Sequence, residues 1–204
     1  PLMIDRHYEF LKKCVDRDQA KKIIVEYNSN ITNIPQRAWD IWKHFKRINV
    51  GASIDGVGDI NYYMRPPSRF NKIHENLQKL STAEGNFKVW IACTVNVFNV
   101  LHLPEFMEWA LLNKVPRIND DNIKPILTPH PLHGPKFYNI RMLPDYAKEY
   151  VKKKYEDYKV KLCNIIDKSD FTNDRKDASR REAVRILDQY LSLIHISEPT
   201  RQAS

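Results

Sequence analysis

Short runs of β-branched and aromatic residues alternate with helical patterns along this chain, and that alternation most constrains its fold. Three runs predict buried strands at 23–27, 49–54 and 87–95, and a fourth, shorter strand is expected at 123–127. The strand starts lie about 26 to 38 residues apart, which is the length that two parallel strands and their crossover helix require. The pattern therefore predicts an α/β fold built on a parallel sheet.

Helical patterns fill the intervals between the strands. Asp5 is expected to cap the first helix, Pro35 suits the first turn of the second, and Ser68 is expected to cap the third. Another helix is predicted at 103–113, and a Pro-rich loop at 129–144. Strand runs that are apolar on both faces favour a sheet covered by helices, either doubly wound or a piece of a barrel.

The C-terminal part of the chain is charged and helical, with helices predicted at 145–167 and 173–190. Residues 191–204 resemble the in-frame translation of a transposase sequencing adapter. We therefore expect this tail to be foreign to the natural protein and to make little contact with its core. Its apolar residues nevertheless allow the preceding helix to extend as far as Pro199; they are Leu191, Leu193, Ile194 and Ile196. The expected organisation is a core at 1–145, a helical segment at 146–190, and this tail.

Composition argues against several classes of protein. No apolar run is long enough to span a membrane, so no membrane contact is expected. Cys14, Cys93 and Cys163 are too widely spaced for a zinc finger or a disulfide scaffold, and a cytoplasmic setting is expected. The net charge of +8 comes from basic residues that mostly alternate with acids, so solvated helix faces explain it and a nucleic-acid partner is not favoured.

Polar residues follow each predicted strand, at the end where parallel α/β folds bind their ligands. They are Asn30 after the first strand, Ser53 and Asp55 at the second, Thr94 and Asn96 at the third, and His130 after the fourth. Turns also begin with polar residues for purely structural reasons, so that alternative stays open at each strand end.

The end of the second strand is the most informative of these places. Gly56 and Gly58 allow a tight turn and a close approach of the backbone to a ligand. Arg65 offers a planar fork to a carboxylate, so Ser53 and Arg65 are candidates to hold the carboxylate of an amino acid. The alternative is that Arg65 is a surface arginine ahead of the turn at Pro66.

This segment resembles the radical S-adenosylmethionine (SAM) superfamily, in the subgroup with SPASM or twitch extensions. Ser53-Ile-Asp-Gly56 followed by Tyr62, Tyr63 and Arg65 is similar to the family's fourth-strand segment, in which a serine and a downstream arginine bind the SAM carboxylate.

Three shorter segments add to the resemblance. Thr94-Val-Asn96 followed by Asn99 resembles the fifth strand, which approaches the SAM ribose. Pro1-Leu2-Met3 resembles the tail of the family's Gly-Gly-Glu-Pro motif, and Arg141-Met-Leu-Pro144 resembles a short motif after the sixth strand. The resemblance covers about residues 1–145.

The resemblance implies an incomplete parallel (β/α) barrel, truncated at both ends, that lacks its first strands and is followed by C-terminal helices. It implies an enzyme that reductively cleaves SAM at one iron–sulfur cluster and starts radical modification of a substrate, with a peptide as one expected class. The SAM-binding residues it implies are Asn30, Ser53, Asp55, Arg65, Thr94 and Asn96.

The cysteine loop that holds the family's cluster is absent from this sequence and is expected upstream of Pro1. The chain alone is therefore expected to be inactive. The alternative is a non-catalytic α/β domain that binds a protein or nucleic-acid partner through its basic helices at 145–190.

Overall fold

The computed structural model describes residues 2–83, 87–113 and 127–195, and its centre is a parallel sheet. Four strands make up the sheet within these residues: β1 (Ile24–Ser29), β2 (Arg47–Ser53), β3 (Phe87–Val95) and β4 (Thr128–Pro131). They lie in the order β1-β2-β3-β4, and every neighbouring pair is parallel. The predicted α/β class and the sequential parallel order of these strands are confirmed.

Seven α-helices lie within the described residues. They are α1 (Asp5–Asp16), α2 (Gln36–Trp42), α3 (Asp59–Met64), α4 (Phe70–Thr82), α5 (Leu103–Leu112), α6 (Asp145–Asp167) and α7 (Asn173–His195). The short helix α3 was not predicted, because six residues are too few to display a helical period. The other helices lie close to the expected bounds, since their apolar residues repeat at helical spacing.

Two predicted helix caps are wrong. Asp5 is the first residue of α1 rather than its cap, and its carboxylate pairs with Arg37 at 2.5 Å. Ser68 lies just before the cap position of α4, which Arg69 occupies, and its hydroxyl accepts a hydrogen bond from Asn61 Nδ2 at 3.0 Å. Ser68 lies one residue before the cap position, and its hydroxyl bonds to a side chain rather than to an N–H group of the helix.

The fourth strand lies later in the chain than expected. Residues 123–126 of the prediction lie outside the described residues, and β4 occupies 128–131, where a loop was expected. Pro129 and Pro131 caused that error, because proline lacks the N–H that a central strand needs. Within the described residues β4 pairs only with β3, and an edge strand tolerates proline.

One face of the sheet packs against the helices and forms the core. Tyr27, Val50, Ile91 and Cys93 are buried on this face. The Tyr27 hydroxyl accepts a hydrogen bond from Trp42 Nε1 of α2 at 3.0 Å, which joins β1 to that helix.

The opposite face of the sheet, which we call the open face, is polar and largely accessible. Glu26 and Asn28 of this face are exposed, and Asn49, Ser53, Trp90 and Thr94 are half-exposed. Gly51 is the one buried member of this face among the described residues, because Asn28 and Trp90 close over it and leave no space for a Cβ. The expectation that both faces are apolar is therefore wrong. The strand residues of this face alternate with the buried ones at a period of two, which that reading missed.

The beginning of the expected tail packs against the core. Helix α7 continues through Tyr190 to His195, and Leu191 and Ile194 are buried in the common apolar cluster. The expectation of little contact is wrong for these residues, because they extend the stripe of Ala183 and Leu187 at helical spacing. Residues 196–204 lie outside the described residues.

Candidate functional site

Asp55 organises the carboxyl end of the sheet. It lies just beyond β2 and is almost completely buried. Its Oδ2 accepts a hydrogen bond from Arg65 Nε at 2.7 Å, and its Oδ1 accepts one from the backbone N–H of Thr94 at 2.7 Å. The carboxylate therefore joins the end of β2 to β3 and to the residue that follows α3.

Two buried asparagines hold the backbone around Asp55. Asn61 Oδ1 accepts a hydrogen bond from the Asp55 N–H at 3.0 Å. Asn99 Nδ2 donates to the carbonyl oxygens of Asp55 and Thr94, both at 2.9 Å, and Asn99 Oδ1 accepts from the Asn96 N–H at 2.8 Å. These bonds satisfy buried backbone groups that the strands leave unpaired, so the loops at this edge are held rigidly.

The turn after Asp55 depends on both glycines and on a histidine. Gly58 has a φ of 57°, which only glycine adopts without strain, and a Cβ at Gly56 would lie 2.7 Å from a methyl carbon of Ile60. His102 Nε2 accepts a hydrogen bond from the Val57 N–H at 3.1 Å. Burial lowers the pKa of His102, which favours the neutral ring that can accept this bond.

The predicted site residues gather at this edge to different degrees. Asp55, Arg65 and Thr94 are directly bonded, and Asn96 joins them through Asn99. The Asn96 side chain also accepts a hydrogen bond from the Phe98 N–H at 2.9 Å.

Ser53 and Asn30 are less closely tied to this network. Ser53 lies on the open face at the last position of β2, paired in register with Ala92. Asn30 follows β1 at the same edge, but its Oδ1 accepts from the Thr32 N–H at 3.3 Å, and within the described residues no hydrogen bond joins it to the other five. The structure therefore brings four of the six predicted residues into one bonded network.

Arg65 combines a fixed position with unused donors. Its side chain is 30% exposed, and its Nε is bound to Asp55. Within the described part of the chain, its two terminal nitrogens have no hydrogen-bond or ion-pair partner. A guanidinium held in this way can bind an anionic group of a ligand end-on, with its side chain already ordered.

The cysteines of this chain do not form a metal site. Cys14, Cys93 and Cys163 are free thiols in separate parts of the structure, and burial raises the pKa of Cys93 well above its ordinary value. Among the described residues no three His, Cys, Asp or Glu side chains come together as metal ligands. These residues therefore do not fit an iron–sulfur cluster.

Two residues of this network, Asn61 and His102, were not predicted, and Ser68 was predicted only as a helix cap. Asn61 and Ser68 are buried polar residues bonded to each other, and His102 follows β3 by seven residues yet bonds to the loop after β2. Nothing local indicates the partners of Asn61 or of His102, since six residues are too few to display the helical period that would place Asn61 inward.

Comparisons with protein-family models, with curated proteins and with solved structures give no match for this chain. None of the helices in the described ranges is both long and apolar enough to cross a membrane.

Proposed function

We propose that this chain is part of the barrel of a radical SAM enzyme, and that the carboxyl end of its sheet binds the SAM carboxylate. The observation that carries the proposal is Arg65, which the buried carboxylate of Asp55 holds at that edge. Ser53 and Thr94 lie on the open face at the same end of the sheet, and both are partly exposed, so their hydroxyl groups are available to a ligand there.

The sheet is covered by helices on one face, and this favours a piece of a barrel rather than a doubly wound sheet. A doubly wound sheet buries both faces under helices, whereas the open face bears polar residues that are exposed or half-exposed. A barrel places one face of its sheet outward against helices and the other inward, around a ligand or a packed interior. The polar open face fits the second arrangement.

The proposal gives Asp55 a different role from the one that the resemblance implies. Both of its carboxylate oxygens are used within the protein, so it serves as a positioning residue for Arg65. Arg65 binds the carboxylate of SAM through its terminal nitrogens. Asn96 is proposed to face the ribose of SAM, and Asn30 to lie at the edge of the SAM site. The radical reaction, with any peptide substrate, depends on an iron–sulfur cluster, and the described residues offer no ligand set for one.

Calorimetric titration with SAM tests the carboxylate site, on the enzyme extended by its expected upstream cysteine loop and reconstituted with the cluster. Arg65→Ala should weaken SAM binding by about tenfold to a hundredfold, since a charge-assisted bond contributes about 1.5–3 kcal/mol. That variant also leaves the buried Asp55 without its cation, so Arg65→Lys is measured beside it. Arg65→Lys preserves the ion pair with Asp55 but lacks the planar guanidinium that can bind a carboxylate with two nitrogens. We therefore expect this variant to bind SAM more weakly while its fold stays intact.

Lys72→Ala is the control, because Lys72 lies on α4 and pairs with Glu75 at the surface. Unchanged SAM affinity in both Arg65 variants would refute the carboxylate assignment.

The gene sequence before codon 1 gives a second test. A Cys-x-x-x-Cys-x-x-Cys segment followed by Gly-Gly-Glu is expected there, and a start codon a few residues upstream would contradict the proposal.

The alternative of a partner-binding domain receives less support from the charged helices. Lys159 pairs with Glu156 and Asp188, and Lys154 pairs with Glu105. Charges that are neutralised by neighbours attract an anionic partner weakly.

A further inference from the structure

Four exposed aromatic rings form a continuous row at the carboxyl end of the sheet. Tyr63 contacts Phe98 with ring centroids 5.5 Å apart, Phe98 contacts Tyr138 at 5.1 Å, and Tyr138 contacts Phe137 at 4.4 Å. Their exposed fractions are 65%, 43%, 38% and 65% for Tyr63, Phe98, Tyr138 and Phe137. We call these four residues the aromatic rim.

The aromatic rim is presented by loops that the fold holds in place. Its residues come from α3 and from the segments that follow β3 and β4. The Val97 N–H donates to the Tyr138 carbonyl at 3.1 Å, and the Phe98 N–H donates to the buried Asn96 side chain at 2.9 Å. Contiguous apolar surface that is kept exposed on an ordered scaffold marks a binding surface.

Basic residues adjoin the rim residues along the chain. Residues 94–102 and 127–144 contain no Asp or Glu, and the second segment carries Lys136 directly before Phe137 and Arg141 soon after Tyr138. Arg65 follows Tyr63 by two residues, but its ion pair with Asp55 offsets its charge. Lys136 and Arg141 therefore supply the positive charge next to the rim, against Asp59 in the turn before Tyr63. The rim therefore offers flat rings and cations to the same partner.

We propose that the aromatic rim binds single-stranded nucleic acid. Bases stack on exposed aromatic side chains while cations at the edge contact the phosphates, and single strands present both groups in alternation. An acidic peptide would contact only the basic side chains beside the rim, and a proline-rich peptide would contact only its aromatic rings. Four rings from three segments exceed what one nucleobase covers, so the surface suits several successive nucleotides rather than a free nucleoside.

This proposal reverses the sequence-based expectation that a nucleic-acid partner is not favoured. That expectation depended on charge alone, because the basic residues are spread along the chain. The structure brings exposed aromatic residues together, and the net charge gives no information about them. The proposal does not require SAM or a cluster, so its test and that of the carboxylate site fail independently.

Fluorescence anisotropy with a labelled oligouridine of twelve nucleotides tests the proposal on the full chain. Phe98→Ala removes the ring that contacts two others, and Phe137→Ala removes an end of the row. Each should weaken binding by about fivefold to a hundredfold, the effect of losing one stacked base. Affinity should also fall as salt rises, because phosphate contacts release counterions.

Phe10→Ala is the matched control, since Phe10 is 63% exposed but lies on α1, outside the aromatic rim. It should leave binding unchanged. Circular dichroism checks that every variant keeps its fold.

Four competitors distinguish the occupants. Unlabelled oligouridine should displace the probe, whereas polyglutamate, duplex RNA and adenosine should not. Equal competition by polyglutamate or by duplex RNA would show attraction by charge alone, and displacement by adenosine would show a pocket for one base. Any of these results overturns the proposal, as does an absence of binding or equal affinity in both rim variants.

Discussion

Single buried polar residues decide the geometry at the carboxyl end of the sheet. Asp55 needs partners because burying an unpaired carboxylate is costly, and it finds them in Arg65 and in the Thr94 N–H. His102 acts in the opposite direction, since it must stay neutral to accept from Val57. This end of the sheet therefore contains both a buried ion pair, Asp55 with Arg65, and a histidine that resists protonation, His102.

The protonation of His102 predicts how stability depends on pH. Burial lowers its pKa below the ordinary value of 6.5, so the unfolded chain binds the proton more readily than the folded one. The free energy of unfolding should hold its value above about pH 6.5 and decline as the pH falls below it, toward the folded-state pKa. Urea unfolding at a series of pH values measures this.

His102→Gln keeps a hydrogen-bond acceptor without a titrating ring, and it should remove part of that decline. His7, whose pKa burial also lowers, accounts for a remainder. His133→Gln at an exposed position is the control and should leave the decline as it is. If His102→Gln and the parent lose stability equally on acidification, the buried neutral role of His102 is wrong.

At the scale of elements, the spacing of apolar residues decides how far a helix packs against the core. Helix α7 continues past Tyr190 because Leu191 and Ile194 repeat the spacing of its buried residues. A stripe of apolar residues on a preceding helix extends whenever the following sequence supplies apolar residues at compatible positions.

Ile194→Ala tests whether this end of α7 belongs to the core. Ile194 is fully buried, and truncating such a side chain costs about 2–5 kcal/mol in the free energy of unfolding. Ser192→Ala, two residues earlier and exposed, should change it by less than about 0.5 kcal/mol. Chemical denaturation compares the two variants, and equal stability would restore the expectation that the tail makes little contact.

At the scale of the whole molecule, the sheet and the C-terminal helices share one apolar cluster. Tyr155 of α6 is fully buried, and its hydroxyl donates to the Val100 carbonyl at 2.6 Å. Ile166 of α6 and Leu187 of α7 belong to the same cluster as the strand residues. The segment at 146–190 therefore packs as part of the core.

This sharing predicts a single unfolding transition. The four tryptophans all lie between residues 39 and 109, so their fluorescence reports on the sheet, whereas α6 and α7 contribute strongly to the far-ultraviolet circular dichroism. Both signals should change at the same urea concentration. Tyr155→Ala should lower both midpoints together. Loss of the dichroism at lower urea than the fluorescence would indicate two independent units.

The sequence by itself determined the strand positions in the first part of the chain, their parallel order and the long helices. Each of these depends on residues that are close in sequence: β3 follows from one β-branched run, and α4 from the spacing of Ile73, Leu77 and Leu80. Local periodicity records which side of an element is buried. The sequence also predicted that Ser53, Asp55 and Arg65 lie near the end of the second strand.

Tertiary structure alone decided which partners those residues have. Asp55 and Thr94 are 39 residues apart, and Val57 and His102 are 45 apart, so no local pattern indicates that they bond. The aromatic rim likewise joins Tyr63, Phe98 and Tyr138 from three separate segments. Chain topology sets these distances, and a buried polar atom then takes whichever partner the packing brings within reach, because leaving it unpaired costs more.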